Sequence, residues 1–205
     1  MGVQTGSLHI GPITELETAL GMLLSARETL GRGFSTGENK ERKARPKTGG
    51  SHVVLMFDGL CEPYNPGGIA TYGFVVYQDG MKIYEEGGIV GAGILGDDVS
   101  NNVAEYTALI KGMEHIIESG YRGPLIVRGD SQLVIRQMLG EYAARARRLT
   151  GLHERAKQLV QHFERVAFEW VPREENADAD RLCRAAYENL IRKMREAMGE
   201  KIKKV

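Results

Sequence analysis

The stretch His52-Val53-Val54-Leu55-Met56-Phe57-Asp58-Gly59 (52–59) places five apolar residues in a row directly before an aspartate. An apolar run without alternation is what a strand covered on both faces requires. A second run, Pro124-Leu125-Ile126-Val127-Arg128-Gly129 (124–129), is followed at once by Asp130 and a helical pattern over 131–139. A strand that returns to its sheet through a helix needs a parallel partner, so the two runs are expected side by side and parallel.

Working outward, TYGFVVY (71–77) and MKIYEEGGIV (81–90) read as strands joined by the turn Gln78-Asp79-Gly80, and VAFEWV (166–171) as a fifth strand. Helical periodicity covers 103–119, with Leu109, Gly112, Met113, Ile116 and Ile117 on one face, then 149–164, and a last helix from about Asn176. The order βββαβααβα predicts an α/β fold. Its sheet is five-stranded and mixed, three antiparallel strands then parallel ones, with helices on both faces.

The chain has 205 residues, of which 42% are hydrophobic and 26% charged, enough for a real core. No apolar run approaches the roughly 18–20 residues that span a bilayer, and the first residues lack a signal-peptide pattern. Two cysteines, Cys61 and Cys183, make neither a disulfide framework nor a zinc site, so a cytoplasmic location is expected. The domain expected at 52–196 is preceded by an amphipathic helix segment (1–31) and a basic flexible linker (32–51), and followed by a basic tail (197–205). The helix segment carries Ile13, Leu16, Leu20, Leu23, Leu24 and Leu30, a stripe that needs a surface to cover it, though its protein partner is unknown. Net charge is zero but uneven: residues 52–180 hold 12 Lys and Arg against 19 Asp and Glu.

Part of that acidity falls where carboxylates are expensive. Asp58 and Asp130 are both expected at the carboxyl ends of neighbouring strands, the switch-point crevice of an open α/β sheet. Glu105 lies four residues before Leu109 on an apolar stripe, and Asp180 borders the inward face of the last helix. Two like charges about 4 Å apart repel by roughly 4 kcal/mol at an effective dielectric near 20. Four would protonate or splay apart unless a cation joined them, and an all-oxygen donor set selects Mg²⁺ or Mn²⁺. Each acid also has a plainer reading. Asp58-Gly59 suits a turn, Glu105 a capping box opened by Asn102, Asp130 a helix N-cap, and Asp180 a solvated helix face.

Together these residues resemble the type 1 ribonuclease H family. Phe57-Asp58-Gly59 followed by Asn65-Pro66-Gly67-Gly68 is similar to its opening strand and loop, and Ser100-Asn101-Asn102-Val103-Ala104-Glu105 to its helix start. Gly129-Asp130-Ser131-Gln132 resembles its Asp-Ser-Gln turn, and Val171 to Asp180 its closing Arg-Glu-x-Asn-x-x-Ala-Asp motif. The match covers about residues 52–190. The resemblance implies hydrolysis of the RNA strand of an RNA/DNA hybrid, leaving 5′-phosphate and 3′-hydroxyl ends. It also implies that Asp58, Glu105, Asp130 and Asp180 hold two Mg²⁺ or Mn²⁺ ions when substrate is bound. Asn65, Asn101 and Gln132 match positions that touch the substrate backbone and minor-groove edge, where amides suit 2′-hydroxyls.

The closing loop has no His where bacterial relatives often carry one, which makes it similar to the archaeal and plant-like branch. Arg173 stands there, open between contact with the scissile phosphate or help with product release, and a surface pairing with Glu174 or Glu175. Tyr142 with Arg145, Arg147 and Arg148, and the run from Arg192 to Lys204, are candidate grips on the nucleic acid. A non-cleaving nucleic-acid-binding module of the same fold is the alternative. A 3′–5′ exonuclease is disfavoured because Asp58-Gly59-Leu60 stands where that branch carries Asp-x-Glu.

Overall fold

The computed structural model describes residues 52–202 and the single position Gly21; the helix segment (1–31), Gly21 aside, and the linker (32–51), His52 being the first residue of the domain, lie outside the described residues, as do 203–205. Strands β1 (Val53–Glu62), β2 (Ile69–Gln78) and β3 (Met81–Ala92) are followed by helix α1 (Asn101–Glu118), strand β4 (Leu125–Gly129), helices α2 (Gln132–Met138) and α3 (Arg147–Val160), strand β5 (Val166–Trp170) and helix α4 (Ala177–Ile202). The sheet order is β3-β2-β1-β4-β5. β1 runs antiparallel to β2 and parallel to β4, β2 antiparallel to β3, and β4 parallel to β5. The mixed sheet expected from the apolar runs is the one observed.

One boundary that bears on the site differs from expectation. β1 does not stop at Asp58 but continues to Glu62, because β2 supplies antiparallel partners along its whole length, Asp58 facing Gly73. The parallel ladder with β4 does end early, at Met56 opposite Arg128. Asp58 and Asp130 each lie two residues beyond that last pair, so they share the sheet's carboxyl edge although only one strand ends there. At the other end, helical backbone continues to Ile202, into the stretch expected as a tail from 197.

The main core lies between the sheet and α1 with α3. It joins Leu55, Phe57, Phe74, Leu109, Met113, Val127 and Leu159. The opposite face is covered by α4, whose Leu190 packs on Ala92 of β3. Two glycines let the helices come close beside Asp58. A Cβ on Gly59 would collide with the Glu105 backbone nitrogen, and one on Gly73 would fall 2.5 Å from the Ala179 carbonyl oxygen. One glycine thus admits α1 and the other admits α4. Among the described residues no helix is long and apolar enough to cross a membrane.

Candidate active site

Asp58 is 6% exposed. Its Oδ1 accepts the Gly59 N–H at 2.8 Å, and the Cys183 thiol donates to Oδ2 at 3.4 Å. Both donors are neutral. Burial, then the charge of Asp130, pushes the Asp58 carboxyl up to about 7 against the weaker pull of those hydrogen bonds; Asp180 adds to the rise.

Glu105 reaches the same space from the first turns of α1 and is 7% exposed. Asn101 Nδ2 donates to its Oε1 at 2.9 Å and Ser131 Oγ to its Oε2 at 2.5 Å. Burial is the main reason its carboxyl is pushed up to about 8, with the charges of Asp58 and Asp130 adding to it. Neither plain capping reading applies. Ser100 is the N-cap of α1 and accepts the Val103 N–H, while Asn101 and Asn102 lie inside the first turn. Ser131, not Asp130, caps α2. Both acids are thereby left free for the crevice.

Asp130 is held by a residue that the sequence did not single out. Asn176, fully buried just before α4, donates from Nδ2 to Asp130 Oδ1 at 2.8 Å and to the Phe57 carbonyl at 2.9 Å. That amide ties β1, β4 and the start of α4 together next to the acids. Its Oδ1 is buried and has no hydrogen-bond partner among the described residues. The Trp170 indole N–H donates to the Asp130 carbonyl at 3.0 Å, and its ring is half exposed. A lone Asn in a polar turn gives no local sign of burial, and its contact with Phe57 spans 119 residues. The closing motif was the one signal that contained it.

Asp180 stands apart electrostatically. Burial works to raise its carboxyl, but hydrogen bonds from Arg184 and Arg173 outweigh burial and hold it below the usual aspartate range. Arg184 Nε donates to Oδ2 at 2.8 Å, and Arg173 Nη2 donates to Oδ1. Arg173 therefore pairs with Asp180, not with Glu174 or Glu175.

Of the expected substrate contacts, Asn65 is exposed and its Oδ1 accepts the Asn101 backbone N–H at 2.9 Å. With the Asn101–Glu105 contact, this makes a chain of polar groups running from the surface loop to a buried acid. Gln132 is exposed at the first residue of α2, next to Ser131. In the basic cluster Arg148 is tied to Asp98 at 3.0 Å, and Tyr142 accepts from Arg136 at 3.2 Å. Cys61 is buried and its thiol donates to the Tyr64 carbonyl.

The charges of Asp130 and Asp180 raise the proton affinity of Asp58, and those of Asp58 and Asp130 raise that of Glu105, so the four acids share one electrostatic neighbourhood. Among the described residues, however, no group of three or more His, Cys, Asp or Glu is arranged to hold an ion as it stands. The donor chemistry nonetheless fits a hard divalent cation. Two buried carboxyls carry upward shifts that a cation would relieve, and every donor is oxygen.

Comparison with known proteins agrees with the fold. A family model described as reverse transcriptase-like matches residues 66–186. The bifunctional protein Rv2228c of Mycobacterium tuberculosis is 35% identical over 136 residues, 65% of this chain and 35% of that protein. The chain thus spans about a third of that relative's length. Ribonuclease HI of Halobacterium salinarum is 34% identical over 140 residues, 68% of this chain and 66% of the relative. The crystal structure of RNase H1 from the same archaeon superposes with a TM-score of 0.61, covering 67% of this chain and 98% of its own. The structure of LC11-RNase H1 in complex with an RNA/DNA hybrid superposes with a TM-score of 0.61 at 29% identity, covering 68% of this chain and 99% of its own.

Proposed function

The chain belongs to the type 1 ribonuclease H family, and from that premise we propose that it is an endoribonuclease hydrolysing the RNA strand of RNA/DNA hybrids, leaving 5′-phosphate and 3′-hydroxyl ends. The observation that carries this reading is the set of acids at the sheet's carboxyl edge, where, among the described residues, Asp58, Glu105 and Asp130 meet neutral hydrogen-bond donors only. Acids so arranged hold protons for want of a cation, and a divalent ion that displaces those protons would relieve the burial and crowding that raise Asp58 and Glu105.

Asp58, Glu105, Asp130 and Asp180 would hold Mg²⁺ or Mn²⁺, two ions when substrate is bound. When bound, such a pair supplies an acidified water for attack and charge neutralisation at the leaving 3′ oxygen. The chain's own residues supply position. Asn176 fixes Asp130, Ser131 and Asn101 fix Glu105, and Gly59 N–H with Cys183 fixes Asp58. Asn65, Asn101 and Gln132 lie on the rim that a minor groove would meet, where side-chain amides can read 2′-hydroxyls. Arg173 is half exposed and has a guanidinium fork that suits a phosphate. A cytoplasmic location belongs to the same proposal and is supported by two unpaired, buried cysteines.

The test is cleavage of an end-labelled RNA/DNA hybrid with Mg²⁺, Mn²⁺ or EDTA, beside single-stranded RNA, double-stranded RNA and duplex DNA. Internal cuts in the RNA strand that need metal and vanish in Asp58→Asn are the expected result. Binding of hybrid without any cutting would instead favour the non-cleaving module.

A further inference from the structure

Among the described residues Asp180 is the one site acid that accepts hydrogen bonds from cations, and both of its oxygens do so. Arg184 sits one turn along α4 from Asp180, an i,i+4 pair with the acid nearer the N-terminus, which is the favoured orientation. Arg173 approaches from the 3₁₀ turn Arg173–Asn176 that precedes the helix. The carboxylate is 19% exposed, while the side chains of Arg184 and Arg173 are 44% and 58% exposed. The clasp is therefore held at its inner end and open to solvent at its outer end.

We propose that Arg184, with Arg173, is a releasable latch on Asp180: it competes with the divalent ion that Asp180 would help to hold, and a substrate phosphate opens it. The inference rests on the proposed function and concerns the order in which the site is filled. Among the described residues no cationic side chain bonds the oxygens of Asp58, Glu105 or Asp130, so an ion approaching them has no guanidinium or ammonium to displace. An ion approaching Asp180 meets two guanidiniums and must displace at least one. A guanidinium fork fits a phosphate at least as well as a carboxylate. A backbone phosphate arriving at the rim can therefore take Arg184 off Asp180 and leave that carboxylate free. The second ion is then held well only when substrate is present. Arg184 is a positioning residue in this scheme, acting through Asp180.

The same helix provides a control. Arg181 has the same charge but is bound to Glu85 at 2.8 Å and lies 3.7 Å from Asp178, away from Asp180. The experiment is a calorimetric titration of Mn²⁺ into the full chain without substrate, for wild type, Arg184→Gln, Arg184→Lys and Arg181→Gln. Circular dichroism verifies that each variant is folded. Arg184→Gln is expected to tighten the weaker Mn²⁺ step about fivefold, the worth of one well-formed exposed ion pair. Arg184→Lys should return most of the way to wild type, and Arg181→Gln should match wild type. In cleavage assays, Arg184→Gln should raise KM for the hybrid and narrow the gap between Mn²⁺ affinity in the free protein and the Mn²⁺ needed for half-maximal rate. An Arg184→Gln isotherm that overlays wild type overturns the latch, as does an equal shift in Arg181→Gln. Failure of every variant to bind Mn²⁺ or cut hybrid overturns the proposed function instead.

Discussion

Asp58 combines deep burial with neutral partners, and this has a consequence for stability. Its carboxyl is raised to about 7 and that of Glu105 to about 8, above the ordinary values near 4 of an unfolded chain. Between about pH 4 and 8 the metal-free native state thus holds protons that the unfolded chain has released. Stability contributed by these groups is present below the unfolded values and is lost as pH rises through the folded ones. In EDTA, Asp58→Asn should be more stable than wild type at pH 8, by about 2–4 kcal/mol, and no different at pH 4. Saturating Mg²⁺ should raise the wild-type Tm and close most of the gap. Thermal unfolding at the two pH values, with and without metal, checks this; an Asn variant less stable than wild type at pH 8 would contradict it. The acids stood out in the sequence only as a set, placed together by the expected strand ends and helix faces, since each alone had a plainer reading. Their supports did not stand out. Asn176, Ser131 and Cys183 acquire their roles only when segments 26 to 125 residues apart are brought together.

Among the elements, β1 and α4 matter most for the site, and glycines govern how near they come. Gly73 lies opposite Asp58 in the β1–β2 register, and its missing Cβ is where the first turn of α4 passes. Gly73→Ala would press on the Ala179 carbonyl, which is backbone and cannot swing aside. The expected cost is about 1–3 kcal/mol of stability. Activity should suffer more, at least tenfold in kcat, because displacing α4 displaces Asp180 and misplacements near 1 Å are costly in catalysis. Steady-state kinetics beside a denaturant titration separates the two effects. A kcat unchanged despite reduced stability would show that α4 position is not limiting. Element types and order were readable from hydrophobic periodicity and turn residues. The end of β1 was not, because Asp58-Gly59 looks like a turn and only pairing with β2 keeps the backbone extended to Glu62. The caps were hard to read for a related reason: Asn101, Asn102 and Asp130 are all good cap residues, and a serine beside them took each role.

Across the whole molecule, charge divides unevenly between the crevice and the final helix. Residues 181–205 carry 8 Lys and Arg against 3 Asp and Glu, and helical backbone continues through Ile202. If that end grips nucleic acid, removing residues 196–205 should flatten the plot of log binding constant against log salt concentration. The expected change in slope is roughly 0.9 for each phosphate that is no longer neutralised. Hybrid binding at four salt concentrations measures the slope, and an unchanged slope would assign the grip elsewhere. The division before residue 52 was read from two signals, an apolar stripe at helical spacing over 13–31 and a polar, basic composition after it.

Trp170 gives the molecule one more property. It is the only tryptophan in the chain, half exposed, with its indole bound to the backbone of Asp130. The protein's near-ultraviolet emission is therefore dominated by a fluorophore at the mouth of the crevice. Mn²⁺ or an RNA/DNA hybrid mixed with the unlabelled protein is expected to change that emission, and stopped-flow fluorescence would follow the change from one known place.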